Sequence, residues 1–320
     1  MKRRFRKVAF GFGFLALVAI ILVIVLIFQF LRPTPPPPGV PPTPSAPPRA
    51  DSQPADCPDV LVVSIPGTWE SKANDDPYRP TANRHSLMLR VTKALQANFP
   101  SSRAEVYTVP YVAQFRNPTV LTDKQQDYNV SRAQGKRRAV DKITRTYDHC
   151  PLTGYLLMGF SQGAVIAGDI AGDIGNGHGP IPVQDQDLVL GVGLIADGRR
   201  QAGQQNDVGP SPDGVGAEVA LGSFGGLVPG IEMTGARRGG FGTLTERTYS
   251  ICAAGDLICD SPRVSDPFSA IGKLANAANN PVHAKYATSR YWAQNGATAT
   301  QWMFAWAKRL ITEAPHPKHD

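Results

Sequence analysis

The stretch Gly159-Phe160-Ser161-Gln162-Gly163 constrains the fold of this chain more than any other. It follows the apolar run Tyr155-Leu156-Leu157-Met158 and precedes Ala164-Val165-Ile166-Ala167, so strand-like, turn and helix-like segments come in that order. In that context a Gly-x-Ser-x-Gly motif forms a nucleophile elbow, with the serine hydroxyl presented on a sharp turn. Glycine suits the two flanking positions because a Cβ there would obstruct the reversal and the close packing of strand on helix. The chain holds 31 glycines, so the pentapeptide alone would be a common coincidence, and its flanks are what give it meaning.

The first fifty or so residues do not read as globular. Lys2, Arg3, Arg4, Arg6 and Lys7 precede an uncharged run of 21 residues, Val8 to Phe28, close to the length that crosses a bilayer as a helix. The expectation is a cytoplasmic tail over 1–7, a retained single-pass anchor over 8–28, and the rest extracytoplasmic, in the periplasm or cell wall. A cleaved signal peptide is the alternative, but its apolar core is shorter and ends at small residues, whereas Gln29-Phe30-Leu31-Arg32-Pro33 follows here. Residues 29–54 read as a proline-rich spacer, 55–315 as the folded domain and 316–320 as a charged, frayed tail. Of the formal charge of +7, six Lys or Arg lie before Pro33 with no acid among them, leaving +1 for the remainder. That balance gives no electrostatic footprint for nucleic acid.

Four cysteines, Cys57, Cys150, Cys252 and Cys259, allow three disulfide connectivities, and sequence does not choose among them. Zinc is disfavoured because no Cys-x-x-Cys or histidine pair at ligand spacing accompanies them.

Val60 to Ile65 reads as a buried strand, and residues 83–98 carry apolar positions at helical spacing. Val106 to Val109 form a second strand, and Ser131 is placed as the N-cap of a helix ending near Cys150. Leu188 to Ala196 and Arg247 to Cys252 are the fourth and fifth strands. A last helix over 299–312 carries Trp302, Trp306 and Leu310 as a core-facing stripe. Strands separated by helices predict right-handed crossovers and an α/β sandwich around a mainly parallel sheet. The glycine-rich stretch 197–246 reads either as a mobile loop at the site offering Leu221, Phe224, Leu227, Val228 and Ile231 to a lipid, or as a decorated surface loop.

A serine hydroxyl needs an imidazole to take its proton and a carboxylate to hold that imidazole. If acid and histidine follow the serine in chain order, His85 and His149 are excluded, His178 lies too close behind the elbow, and His316 and His319 fall in the tail. His283 remains, on a loop ahead of an expected helical segment. Asp256 sits just past the fifth strand, inside Cys252-Ala253-Ala254-Gly255-Asp256-Leu257-Ile258-Cys259, with Asp260 and Asp266 as fallbacks.

Taken together, Cys57-Pro58-Asp59, the loop Pro66-Gly67-Thr68-Trp69-Glu70-Ser71, the Gly159 to Gly163 elbow, the cysteine-bracketed Gly255-Asp256 and a later His283 resemble the cutinase family. With its expected anchor the chain is similar to the cutinase-like envelope lipases of mycobacteria and corynebacteria. The resemblance implies the small cutinase variant of the α/β-hydrolase fold, a three-layer sandwich around a five-stranded parallel sheet. It implies a Ser161, Asp256, His283 triad, bonds from Cys57 to Cys150 and Cys252 to Cys259, and an oxyanion hole from the N–H groups of Thr68 and Gln162. It also implies no metal and no cofactor, and a monomer acting on a lipid ester or phospholipid. Three features depart from compact cutinases: Thr68 stands where serine is usual, the 197–246 stretch is long, and His283 lies 27 positions after Asp256. The expected activity is serine carboxylic-ester hydrolysis through an acyl-enzyme on envelope lipid esters, of phospholipase A or thioesterase type. An acyltransferase and a non-catalytic envelope-binding module are the alternatives.

Overall fold

Val60–Ile65 (β1) is buried at every position, as a strand covered on both faces must be. Its alternate residues divide between two cores. Val60 and Val62 point to one side of the sheet, Leu61, Val63 and Ile65 to the other, because successive side chains of a strand face opposite ways. The computed structural model describes residues 49–320 apart from 118, 119, 121, 223–225, 227, 228 and 263–279.

The chain continues through Leu87–Asn98 (α1), Ala104–Thr108 (β2), Tyr128–His149 (α2), Gly154–Phe160 (β3), Gln162–Gly175 (α3) and Val189–Ile195 (β4). Asn206–Asp207 (β5), Ala217–Ala220 (α4), Thr248–Ile251 (β6) and Ala299–Glu313 (α5) follow. The sheet order is β2-β1-β3-β4-β6-β5, with all pairs parallel. The five expected strands are there, and the two-residue β5 adds a sixth at the edge. Helices α1 and α5 cover one face with Leu95, Met303 and Trp306; α2 and α3 cover the other with Ile143, Ile166 and Ile170. This is an α/β-hydrolase-type fold, a parallel sheet between helical layers.

The tryptophan stripe packs as expected, Trp302 stacking on Trp306 at 5.9 Å between centroids. Gly191 and Gly193 of β4 let α5 come close, since a Cβ at Gly193 would lie 2.5 Å from Met303 Sδ. Helix α5 starts on a capping box between Thr298 and Gln301, which satisfies two otherwise orphaned N–H groups.

Several expectations need correction. Ser131 does not cap α2: the cap is Asp127, and Ser131 is fully buried one turn in. Its hydroxyl accepts the Gln114 N–H at 3.0 Å and donates to Gln162 Oε1 at 2.9 Å, bracing the elbow from below. The C-terminal tail is not frayed, for Gln53 exchanges backbone bonds with Lys318 and Asp320, and His316 and His319 both contact Asp59. No helix directly follows His283, since residues 281–291 form successive turns and the next helix is α5.

The membrane expectation is also corrected. Among the described residues no helix is long and apolar enough to cross a membrane, and the run Val8 to Phe28, with the spacer up to Pro48, lies outside them. The single-pass topology, the membrane partnership and the extracytoplasmic placement are withdrawn with it.

Candidate active site

The elbow is fixed by sterics that admit no side chain. A Cβ at Gly159 would sit 2.2 Å from Gly163 O, and one at Gly163 would sit 2.1 Å from Ile65 O. Between them Ser161 adopts φ 55° and ψ −123°, a conformation that costs a non-glycine residue roughly 1–3 kcal/mol. Its N–H donates to Ile195 O at the end of β4. Strain of this kind gathers at one edge of the sheet: Trp69, Ala113, Ser161 and Ala196, all with positive φ, lie in the segments that follow β1, β2, β3 and β4.

His283 reaches this edge from far along the chain. Its Nε2 lies 2.8 Å from Ser161 Oγ, and its Nδ1 lies 3.0 and 2.9 Å from the two oxygens of Asp256. The spacing of 27 residues is bridged by a few contacts. The ring stacks on Phe160 at 4.9 Å, and Asn280 donates to Gly255 O at 2.7 Å, tying the histidine loop to the aspartate turn.

Asp256 is wholly buried. It accepts from the Tyr286 hydroxyl at 2.7 Å and from the Ile258 N–H at 3.0 Å, inside the turn closed by the Cys252–Cys259 disulfide. Burial alone would raise its carboxyl, but the charge and hydrogen bond of His283, with the donors Tyr286 and Ile258, outweigh it and hold the group below the usual carboxylate range. The fallback Asp260 instead accepts the Gly255 N–H within the same turn, and Asp266 lies outside the described residues.

Thr68 and Gln162 flank the serine from two elements. Thr68 lines the cleft, while Gln162 opens α3, where the first N–H groups have no intrahelical acceptor. Ser161, Asp256 and His283 therefore come together in one hydrogen-bonded row, and Thr68 lines the same cleft. Such a row can activate a hydroxyl. The second disulfide joins Cys57 to Cys150, beneath the amino ends of the strands. His149 lies next to it, but the sulfurs bonded to each other offer no thiolate to a metal.

A cavity of about 530 Å³ opens on Ser161. Trp69, Leu87, Phe115, Phe160 and Ile258 supply apolar wall, and His85, Arg90 and Lys285 stand among the polar lining. Of the 197–246 stretch, none of the described residues lines this cavity. Leu221 and Ile231 are buried against Tyr128, with Phe115 packed on the same cluster; Phe224, Leu227 and Val228 are outside the described residues.

Sequence reasoning missed Tyr286 and Glu70. Tyr286 gives no local signal, because a tyrosine three residues past a histidine acquires its role only when the turn brings it over Asp256. Glu70 accepts the Gly67 N–H at 3.1 Å, the Ser86 hydroxyl at 3.0 Å and the Leu87 N–H at 2.5 Å. Burial pushes its carboxyl above the usual range, and those donors pull back only in part.

The family model described as Cutinase matches residues 78–294. A carboxylesterase Culp6 homolog of Corynebacterium glutamicum is 45% identical over 263 residues, covering 81% of this chain and 83% of that protein. Among solved structures, a cutinase-like protein from Cryptococcus sp. is 16% identical with a TM-score of 0.47, covering 84% of this chain and 100% of that one. The catalytic core domain of acetyl xylan esterase from Trichoderma reesei is 20% identical with a TM-score of 0.46, covering 72% and 98% respectively.

Proposed function

This chain belongs to the cutinase family and is a carboxylic-ester hydrolase; we propose that it works through an acyl-enzyme on Ser161 and favours esters of long acyl chains with anionic head groups. The observation that carries the mechanism is the row Ser161 Oγ, His283 Nε2, His283 Nδ1, Asp256, with contacts of 2.8 and 2.9 Å. Ser161 Oγ attacks the acyl carbonyl as His283 Nε2 takes its proton, and the N–H groups of Thr68 and Gln162 hold the oxyanion. His283 then returns the proton to the leaving oxygen or sulfur as the tetrahedral intermediate collapses to the acyl-enzyme. Water attacks that acyl group with His283 again as base, and the second tetrahedral intermediate expels Ser161 Oγ, which takes the proton back from His283 Nε2 and frees the acid. Asp256 keeps the imidazole oriented and stabilises its cationic form.

The substrate reading is supported by the chemistry of the cleft. Its apolar wall suits an acyl chain, and Arg90 and Lys285 at its lining suit a phosphate or carboxylate on the other half of the ester. Phospholipids and acyl-thioesters of phosphorylated carriers both have that form. The test is hydrolysis of a chain-length series of neutral esters, phospholipids and acyl-thioesters by the purified protein. Turnover is expected to rise with chain length and with an anionic head group, and to fall roughly 10⁴ to 10⁶-fold in Ser161→Ala. A preference for short neutral esters would overturn the substrate reading, and turnover persisting in Ser161→Ala would overturn the mechanism.

A further inference from the structure

The turn between β1 and α1 holds Glu70 in an unusual position. Its backbone N–H donates to Gly67 O at 3.0 Å, and its side-chain Oε2 accepts the Gly67 N–H at 3.1 Å, so one residue grips both polar groups of Gly67. The Gly67 carbonyl and the Thr68 N–H belong to one planar trans peptide and point in opposite directions. Fixing the carbonyl therefore fixes where the Thr68 N–H points.

The other end of Glu70 is anchored outside the turn. Oε2 also takes the Ser86 hydroxyl and Oε1 the Leu87 N–H at the start of α1, where the helix dipole favours a negative charge. Ser86 already caps this helix through the Leu89 N–H, so capping alone does not account for a second, buried acceptor. From the far side the Trp69 N–H donates to Ala113 O at 2.6 Å, which holds Trp69 at φ 64°. Turn, helix and the segment after β2 thus form a rigid frame around Thr68.

We propose that Glu70 is a positioning residue that aims the Thr68 N–H at the acyl oxygen by holding Gly67 on both sides: its backbone N–H fixes the carbonyl of the Gly67–Thr68 peptide, and its carboxylate ties the N–H of the preceding Pro66–Gly67 peptide to the first turn of α1. The proposal rests on Thr68 being an oxyanion donor, and it assigns work to a carboxylate that lies ahead of the residues matched by the family model.

Glu70→Gln keeps size and shape but turns one acceptor oxygen into a donor facing other donors, so one of the three bonds must be lost. A fully removed oxyanion donor costs about 10²- to 10³-fold in kcat, and a misaimed one is expected to cost about tenfold. For a short neutral ester, kcat should fall by that amount with KM within about twofold, as for an interaction made only in the transition state. Inhibition by n-butylboronic acid, which forms a tetrahedral adduct on Ser161, should weaken in parallel. Assays are run well below the thermal midpoint of each variant. Glu70→Asp, too short to span Gly67 and α1, should reproduce the kcat loss and serves if the glutamine variant does not fold. Wild-type kcat in either folded variant, a change confined to KM, or a kcat loss with unaltered boronic acid affinity would overturn the proposal. Ester hydrolysis by the wild type and its loss in Ser161→Ala stand apart from these outcomes and report on the underlying function alone.

Discussion

The elbow and the arm that carries His283 meet at one hydrogen bond of 2.8 Å, yet they are built in opposite ways. The elbow is held by backbone: Gly159 and Gly163 leave no room for a methyl group, and the neighbouring atoms belong to Ile65 and Gly163 themselves. The arm is held by side chains, through the Tyr286 hydroxyl, the Phe160 ring and the Asn280 amide. Backbone sterics tolerate almost nothing, because no rotamer change relieves them. A set of separate side-chain contacts should instead weaken in steps. One hydrogen-bonded row can thus combine an all-or-none half with a graded half.

Changes at the meeting point should cost most. Asp256→Asn leaves the shape but removes the charge and favours the wrong imidazole tautomer, so kcat is expected to fall about 10⁴-fold with a short ester. A loss below tenfold would mean that the carboxylate does not orient His283. Next comes Gly163→Ala, whose methyl group would overlap Ile65 O. It should destabilise the fold by about 3 kcal/mol, read in chemical denaturation, together with activity. If it were tolerated, the contrast with the arm would be broken.

Tyr286→Phe sharpens the graded half. It removes one donor to Asp256 and leaves the Ala253 N–H without its 3.0 Å acceptor. The expected outcome is a loss of about 1–3 kcal/mol in stability and a several-fold drop in kcat, measured on the same preparation.

The smallest effect concerns pH. Asp256 is held below its ordinary value of 3.8, so the stability it contributes is present above that value and is lost only as pH falls through the lower folded one. The difference in thermal midpoint between wild type and Asp256→Asn should therefore not close between pH 7 and pH 5 and should shrink only below about pH 4. A difference that already closes between pH 7 and pH 5 would place the carboxyl above its ordinary value.

What was legible in the sequence follows the range of the interactions. Strand, turn and helix around Ser161 lie within about twenty residues, and each carries its own pattern. The cysteine bracket marked the Asp256 turn in the same local way. Ser131 misled because its residue type signals a cap, whereas tertiary packing uses its hydroxyl to brace Gln162. The stretch 197–246 looked structureless because its buried apolar residues follow no regular period and buried ion pairs help secure what is described of it. Arg237 bonds Asp169 and Asp197 at 2.9 and 2.7 Å, and Arg132 bonds Glu218 at 2.8 Å. Such pairs join residues 40 to 86 positions apart and leave no local trace. The tail histidines were hidden likewise, their partner Asp59 lying more than 250 positions away.

The most direct measurement compares kcat/KM of Ser161→Ala, His283→Ala and the double variant on one short-chain ester. Residues acting as a unit lose their effect together, so all three variants should fall to the same floor, roughly 10⁴-fold or more below wild type. His283→Ala retaining near wild-type turnover, while Ser161→Ala has lost it, would contradict the account.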